Sequence, residues 1–198
     1  MFVAAACGGG KSNSASGSSA PGGSGSSSAD TTKPVLGGSI TYAQEAEDAG
    51  GLCLPEAQLD ISGIDYARTI YDTLTAPNAD GKFVPFLAKK VDHNADFTVW
   101  TITLRDGVQF HDGTPLTATV VKNNLDAYRG KYPGRSPVLF GLVFGNFIKD
   151  ITADDTAKTV TVTTNQVWPA FDSYLWSSGR LGIMAQKQLD EAGECAKD

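Results

Sequence analysis

Histidine is scarce in this chain: the 198 residues hold two, His93 and His111, beside three cysteines, Cys7, Cys53 and Cys195. Neither set shows the close pairing of ligands that a metal site needs. Clustered positive charge is also missing. The 16 Lys and Arg stand against 22 Asp and Glu, a formal net charge of −6. A nucleic-acid partner requires a basic patch to replace the counterions on phosphate, so this balance argues against one. No block of like charges stands out either, which leaves ordinary surface solvation. No apolar run reaches the roughly 18 residues of a membrane-spanning helix. The G-x-S-x-G, H-E-x-x-H and P-loop patterns are absent. Gly8-Gly9-Gly10-Lys11-Ser12 ends like a phosphate loop, but no strand precedes it and no helix follows. There is no internal repeat.

Residues 8–34 are almost wholly Gly, Ser, Ala, Thr and Pro. Such a stretch holds too little apolar surface to offset the entropy of ordering, so the sequence predicts a flexible tether over 1–34. Directly before it stands Val3-Ala4-Ala5-Ala6-Cys7-Gly8. Small residues before a cysteine, with a Gly/Ser linker after it, resemble a bacterial lipobox, which implies lipidation of Cys7. Ala4 stands where a lipobox usually has Leu, and no charged and apolar leader precedes the cysteine. The expectation is therefore a lipobox remnant; the alternative is a free cysteine beside a linker.

From Val35 onward, 41% overall hydrophobic content allows one ordinary core. Gly38 to Ala43 reads as a short strand and Gln44 to Pro55 as loop. Ser62 is expected to cap a helix running to Leu74, with Ile64, Ala67, Tyr71 and Leu74 at helical spacing. Pro77 to Gly81 is a turn cluster. Phe97 to Arg105 has period two, with Trp100, Ile102 and Leu104 on one face of a strand. Val108 to Phe110 reads as a second strand. Thr117 caps a helix burying Val121, Leu125 and Tyr128, and Gly130 ends it. A hairpin follows, Phe147–Thr152 and Thr159–Thr163, with Val160 and Val162 inward. Pro169 suits the first turn of a short helix carrying Phe171 and Leu175. Leu181–Ala185 is expected as a strand and Gln186–Ala192 as a helix. Mixed helices and antiparallel hairpins make the class α+β.

The run Leu104-Arg105-Asp106-Gly107-Val108-Gln109-Phe110-His111-Asp112-Gly113-Thr114-Pro115-Leu116-Thr117-Ala118 resembles the L-R-x-G-V-x-F-H-D-G-x-P-x-T-A signature of the bacterial extracellular solute-binding proteins, family 5. Ile70 to Leu74, Gly81 to Ala88 and Trp168 to Phe171 resemble flanking motifs of that family, in the same order. After Thr117-Ala118 the family usually carries an acidic pair; here Thr119-Val120 stand instead, which weakens the helix cap.

The resemblance implies a periplasmic-binding-protein-like fold of the class II, three-lobed kind. Residues 35–76 would form the first segment of lobe I, 77–180 lobe II, and 181–198 the start of the return to lobe I, with the third lobe absent. It implies a substrate-binding component of an ABC importer, not an enzyme. Such a protein captures peptides or similar small solutes outside the membrane and delivers them to the permease. The alternative is a lipid-tethered exported enzyme or adhesion module. By resemblance Gln44, Glu45, Ser178 and Arg180 are the candidate ligand contacts; for Arg180 a solvated loop arginine is the competing reading. An exported chain permits a disulfide, and with Cys7 given to lipid, Cys53 and Cys195 are the candidate pair. No cofactor or metal is implied, and the expected state is a monomer held at the membrane by lipid. His111-Asp112 is the one pair that suggests acid–base chemistry, but adjacent residues at a strand end point to opposite faces, which favours a structural role.

Overall fold

The computed structural model of the protein describes residues 36–46 and 51–191. The tether, Cys7 and Cys195 lie outside the described residues. The segment up to Thr41 and the chain from Tyr42 onward form separate units. In the first, Leu36 and Ile40 are exposed and the backbone is irregular. The strand expected from Gly38 to Ala43 is not formed. A strand needs a neighbouring edge to satisfy its backbone groups, and none of the described residues provides one.

In the second unit α1 spans Ile61–Arg68. Its cap is Asp60, not the expected Ser62: Asp60 Oδ1 accepts the Gly63 N–H at 2.8 Å, while the buried Ser62 hydroxyl accepts the N–H of Ala46. The helix also stops six residues before the expected Leu74. The Thr69 hydroxyl turns back onto the Tyr66 carbonyl at 2.7 Å. Tyr71 and Leu74 fall on the helical period by coincidence, since Leu74 is buried just ahead of strand β1, Thr75–Pro77. β1 pairs antiparallel with β2, Phe83–Pro85, around the expected turn. Asn78 Oδ1 holds that turn by accepting the N–H groups of Asp80 and Lys82.

The main sheet comprises β3 (Ala88–His93), β4 (Val99–Leu104), β5 (Ile148–Asp154) and β6 (Thr159–Thr164), in the order β3-β4-β6-β5, every pair antiparallel. On β4 and β6 the alternation expected from sequence is the alternation observed. Trp100, Ile102 and Leu104 are buried with Val160 and Val162, and the intervening threonines are half-exposed. The register sets Trp100 beside Val162 and Ile102 beside Val160. The Val108–Phe110 strand is reduced to one bridge, Gln109 to Pro115. Pro115 has no N–H to extend a ladder.

α2, Ala118–Tyr128, starts at Thr117, whose hydroxyl accepts the Val120 N–H, and ends before the left-handed Gly130. The acid missing from its first turn is supplied from elsewhere. Asp155, in the β5–β6 turn, accepts the Thr119 N–H at 2.8 Å and the Thr119 hydroxyl at 2.7 Å. These bonds hold the Asp155 carboxyl below the usual carboxylate range. A depressed folded pKa contributes stability above the unfolded pKa and loses it as pH falls through the folded value. Asp155→Ala should therefore cost about 0.5–2 kcal/mol at neutral pH, the range for a lost cap. Urea melts at descending pH should show a shallower acid-side loss in Asp155→Asn than in the wild type; identical slopes would remove Asp155 from the cap.

The described residues also form three short α-helices, α3 (Gly141–Phe147), α4 (Phe171–Tyr174) and α5 (Gln186–Asp190), and a single 3-10 turn at Ser177–Gly179. Pro169 lies just before α4, and Phe171 and Leu175 are fully buried as expected. Leu181–Ala185 is extended but is not a strand, contrary to expectation. Its hydrogen bonds go to the Asp72 carbonyl, from the Ile183 N–H, and to side chains of α2. Asn124 accepts the Met184 N–H and donates to the Met184 carbonyl, at 2.8 and 2.9 Å. Tyr128, one turn on, donates its hydroxyl to the Gly182 carbonyl at 2.7 Å. Burial pushes the Tyr128 phenol well up, so it stays protonated and a donor. Gly182 is needed because a Cβ there would lie 2.5 Å from Tyr71 Cβ. α5 is anchored by the buried Arg135, which donates to the carbonyls of Leu189 and Gln188 and pairs with Glu56.

Candidate functional site

The candidate ligand contacts fall into two groups on either side of α1. That helix turns Ile64 and Ala67 into the core and leaves Ile61 and Tyr66 exposed. Gln44 and Glu45 are exposed and lie against this outer surface. With Tyr42, Asp65, Tyr66 and Thr69 they line an open depression of about 1110 Å³. Its walls offer two carboxylates, an amide and two phenols, a polar lining suited to a solute with hydrogen-bonding groups.

The second group is the turn Trp176–Arg180. Ser177, Ser178 and Gly179 are three successive left-handed residues, with φ of 41°, 60° and 82°. For serine that conformation is strained. The Ser178 side chain is exposed, and its carbonyl accepts from Arg68 Nε and Nη2 at 3.2 and 2.7 Å. Arg180 is half-buried. Its Nε and Nη2 donate to the Leu59 carbonyl at 3.3 and 2.9 Å, just ahead of the α1 cap, which leaves Nη1 for another acceptor. The bare reading of Arg180 as a solvated loop residue is thus replaced by an anchored one.

Sequence reasoning missed Arg68. It ends α1, contacts Asp65 at 3.4 Å, and places its guanidinium carbon 5.0 Å from the centre of the Trp176 ring. A basic residue in a last helical turn is visible in sequence; its bond to a carbonyl 110 positions away is not.

His111 and Asp112 do not cooperate. Asp112 Oδ1 accepts the N–H and hydroxyl of Thr114, at 2.9 and 2.6 Å, and these bonds hold its carboxyl below the usual range. Both residues lie at a smaller cavity of about 310 Å³, with Tyr71, Phe110 and Ile183. Among the described residues no group of His, Cys, Asp and Glu is placed to hold a metal ion. Cys53 is buried.

Residues 82–192, more than half of the chain, match the family model of the bacterial extracellular solute-binding proteins, family 5, middle region. The chain belongs to this family. Among curated proteins it is 41% identical over 58 residues to the nickel-binding periplasmic protein of Escherichia coli, covering 29% of this chain and 11% of that protein. It is 33% identical over 98 residues to the glutathione-binding protein GsiB of Pectobacterium atrosepticum, covering 50% and 18%. A substrate-binding protein from Microbacterium hydrocarbonoxydans, solved with 4-hydroxybenzoate hydrazide, shares the fold at TM-score 0.58 and 32% identity, over 72% of this chain and 28% of that one. The chain thus spans less than a fifth of each of these two curated relatives. Family 5 is a solute-binding and extracytoplasmic family, and the chain forms a mixed α/β part of its fold.

Proposed function

We propose that the full-length protein captures a peptide or similar small solute outside the membrane and delivers it to the permease of an ABC importer. The observation that supports the ligand site is that both groups adjoin α1, although each lines its own depression, Ser178 and Arg180 one of about 260 Å³ with Leu139, Phe140 and Tyr174. Gln44 and Glu45 line a polar depression on one side of it, and Ser178 and Arg180 sit in a strained, doubly anchored turn on the other. Strain held in place by surrounding structure is a frequent mark of a binding site. Residues 35–76 and 181–198 are taken as lobe I and 77–180 as lobe II, with the ligand enclosed by hinge closure against a further lobe. Cys7 is the lipid anchor, Cys53 pairs with Cys195, and the protein works as a monomer.

Calorimetry of the full-length protein with a pool of synthetic tripeptides should give a Kd of about micromolar or below, while the 198-residue chain alone, which spans less than a fifth of the two curated relatives above, should bind more weakly than about 0.1 mM. Equal affinity in the two proteins would overturn closure between lobes, and no binding by the full-length protein would overturn the peptide class. Non-reducing mass mapping of the exported protein should find acyl chains on Cys7 and a Cys53–Cys195 bridge.

A further inference from the structure

The turn that presents Ser178 is strained, so something must hold it. Three successive residues, Ser177 to Gly179, are left-handed, and only the last is glycine. Within the turn the stabilising bonds are few. The Gly179 N–H reaches the Trp176 carbonyl at 2.8 Å, the Arg180 N–H reaches the Ser177 carbonyl at 3.2 Å, and the Ser177 hydroxyl bonds back to Tyr174. From outside the turn, the Tyr128 hydroxyl reaches the Arg180 carbonyl at 3.3 Å, and two arginines run in opposite directions. Arg180 reaches out of the turn to the Leu59 carbonyl before α1. Arg68 reaches out of α1 to the Ser178 carbonyl with two of its nitrogens and covers the Trp176 ring with its guanidinium.

We infer that Arg68 is a positioning residue of the ligand site, fixing the left-handed turn so that Ser178 and the open Nη1 of Arg180 face solute. The inference rests on the solute-binding reading above and adds a residue that the reading does not use. Three features of Arg68 support it. Its fork donates two N–H bonds to a single carbonyl in the strained turn, a geometry that lysine cannot copy. The fit is tight, since a Cβ on Gly179 would lie 2.6 Å from Arg68 Nε and 2.8 Å from its Cγ. Its remaining nitrogen, Nη1, points to Asp65 in the wall of the depression that Gln44 and Glu45 line. One guanidinium thereby joins both groups of candidate contacts. Its side chain is 40% exposed, so removing it opens no core cavity.

The test uses the full-length protein with Arg68→Met, which keeps the apolar stem and loses the fork, together with Arg68→Lys and Gly179→Ala. Hydrogen exchange without ligand reads the turn directly. In Arg68→Met the amides of Gly179 and Arg180 should exchange about tenfold faster, as in a locally opened segment, while those of β4 and β6 stay unchanged. Trp100 and Trp168 are buried, so the Trp emission that gains acrylamide access should be that of Trp176. Gly179→Ala should also loosen the turn, because its φ of 82° disfavours a side chain and the added Cβ would meet Arg68, so it serves as a positive control for the exchange and quenching signals. Arg68→Lys should fall between the wild type and Arg68→Met. With the tripeptide pool, affinity should drop about tenfold in Arg68→Met, equal to about 1.4 kcal/mol, at an unchanged unfolding midpoint. Unchanged exchange and quenching in Arg68→Met would overturn the inference. A faster turn with unchanged peptide affinity would overturn its role in the site. Failure of the wild type to bind the pool would instead strike the peptide reading, since the exchange result stands without ligand.

Discussion

Replacing Trp100 with alanine should cost about 3–5 kcal/mol of folding stability, the range for truncating a large aromatic in a packed core. The side chain is 3% exposed on the buried face of β4. Its ring lies 5.3 Å from Phe171 and 4.9 Å from His93. From Phe171 the contacts continue through Trp168, Phe144 and Phe140 to Tyr128, each step under 6 Å. Trp100 thus belongs to an aromatic row that links the sheet to α2. Among the described residues the indole N–H has no hydrogen-bond partner. An unpaired buried donor carries a penalty of about 1–3 kcal/mol, which phenylalanine does not incur. Trp100→Phe should therefore lose less than about 1.5 kcal/mol despite its smaller volume. Urea unfolding of the three proteins checks both values. A loss below about 1 kcal/mol in Trp100→Ala would mean that the residue is not in a packed core.

Asn124→Ala should cost about 2–4 kcal/mol, because it strands two buried groups at once, each worth about 1–3 kcal/mol when left unpaired. Asn124 is fully buried, and its amide satisfies both the N–H and the carbonyl of Met184. Its third bond, to the Val120 carbonyl one turn back, is less important, since that carbonyl already belongs to the helix. Asn124→Asp should be worse than alanine. Its carboxylate still accepts the Met184 N–H but faces the Met184 carbonyl with no proton to donate, and it brings a buried charge. The Met184 amide should lose its protection from hydrogen exchange in either variant. A change below about 0.5 kcal/mol would place Asn124 among ordinary surface positions.

How much of this was legible in the sequence depended on where each segment's partners lie. β4 and β6 were readable because period-two burial is written locally, at Trp100, Ile102 and Leu104 and at Val160 and Val162. α2 was readable from its Thr117 cap and its Val121, Leu125 and Tyr128 face. β3 was not, because an edge strand carrying Lys89, Lys90, Asp92 and His93 has no apolar alternation to show. The end of α1 was misplaced because Tyr71 and Leu74 continue its spacing by accident. Leu181–Ala185 has the composition of a strand, and only the tertiary position of Asn124 and Tyr128 makes it something else. Among the candidate site residues, Gln44, Glu45, Ser178 and Arg180 were named through family resemblance, not through any local signal. The structure locates them around α1 and adds Arg68, whose bond to Ser178 could not be foreseen from sequence spacing.

The anchoring of Leu181–Ala185 by α2 also bears on solubility. Leu-Gly-Ile-Met-Ala is a short, uncharged, apolar segment without proline, the kind that pairs with a copy of itself when its backbone is open. Here the Ile183 N–H is taken by the Asp72 carbonyl, both polar groups of Met184 by Asn124, and the Gly182 carbonyl by Tyr128. A segment held in this way offers a neighbouring molecule few free donors or acceptors to template on. Loosening Asn124 or Tyr128 would thus do more than destabilise one molecule. It would expose an adhesive edge, and the same variants should aggregate at concentrations where the wild type stays dispersed.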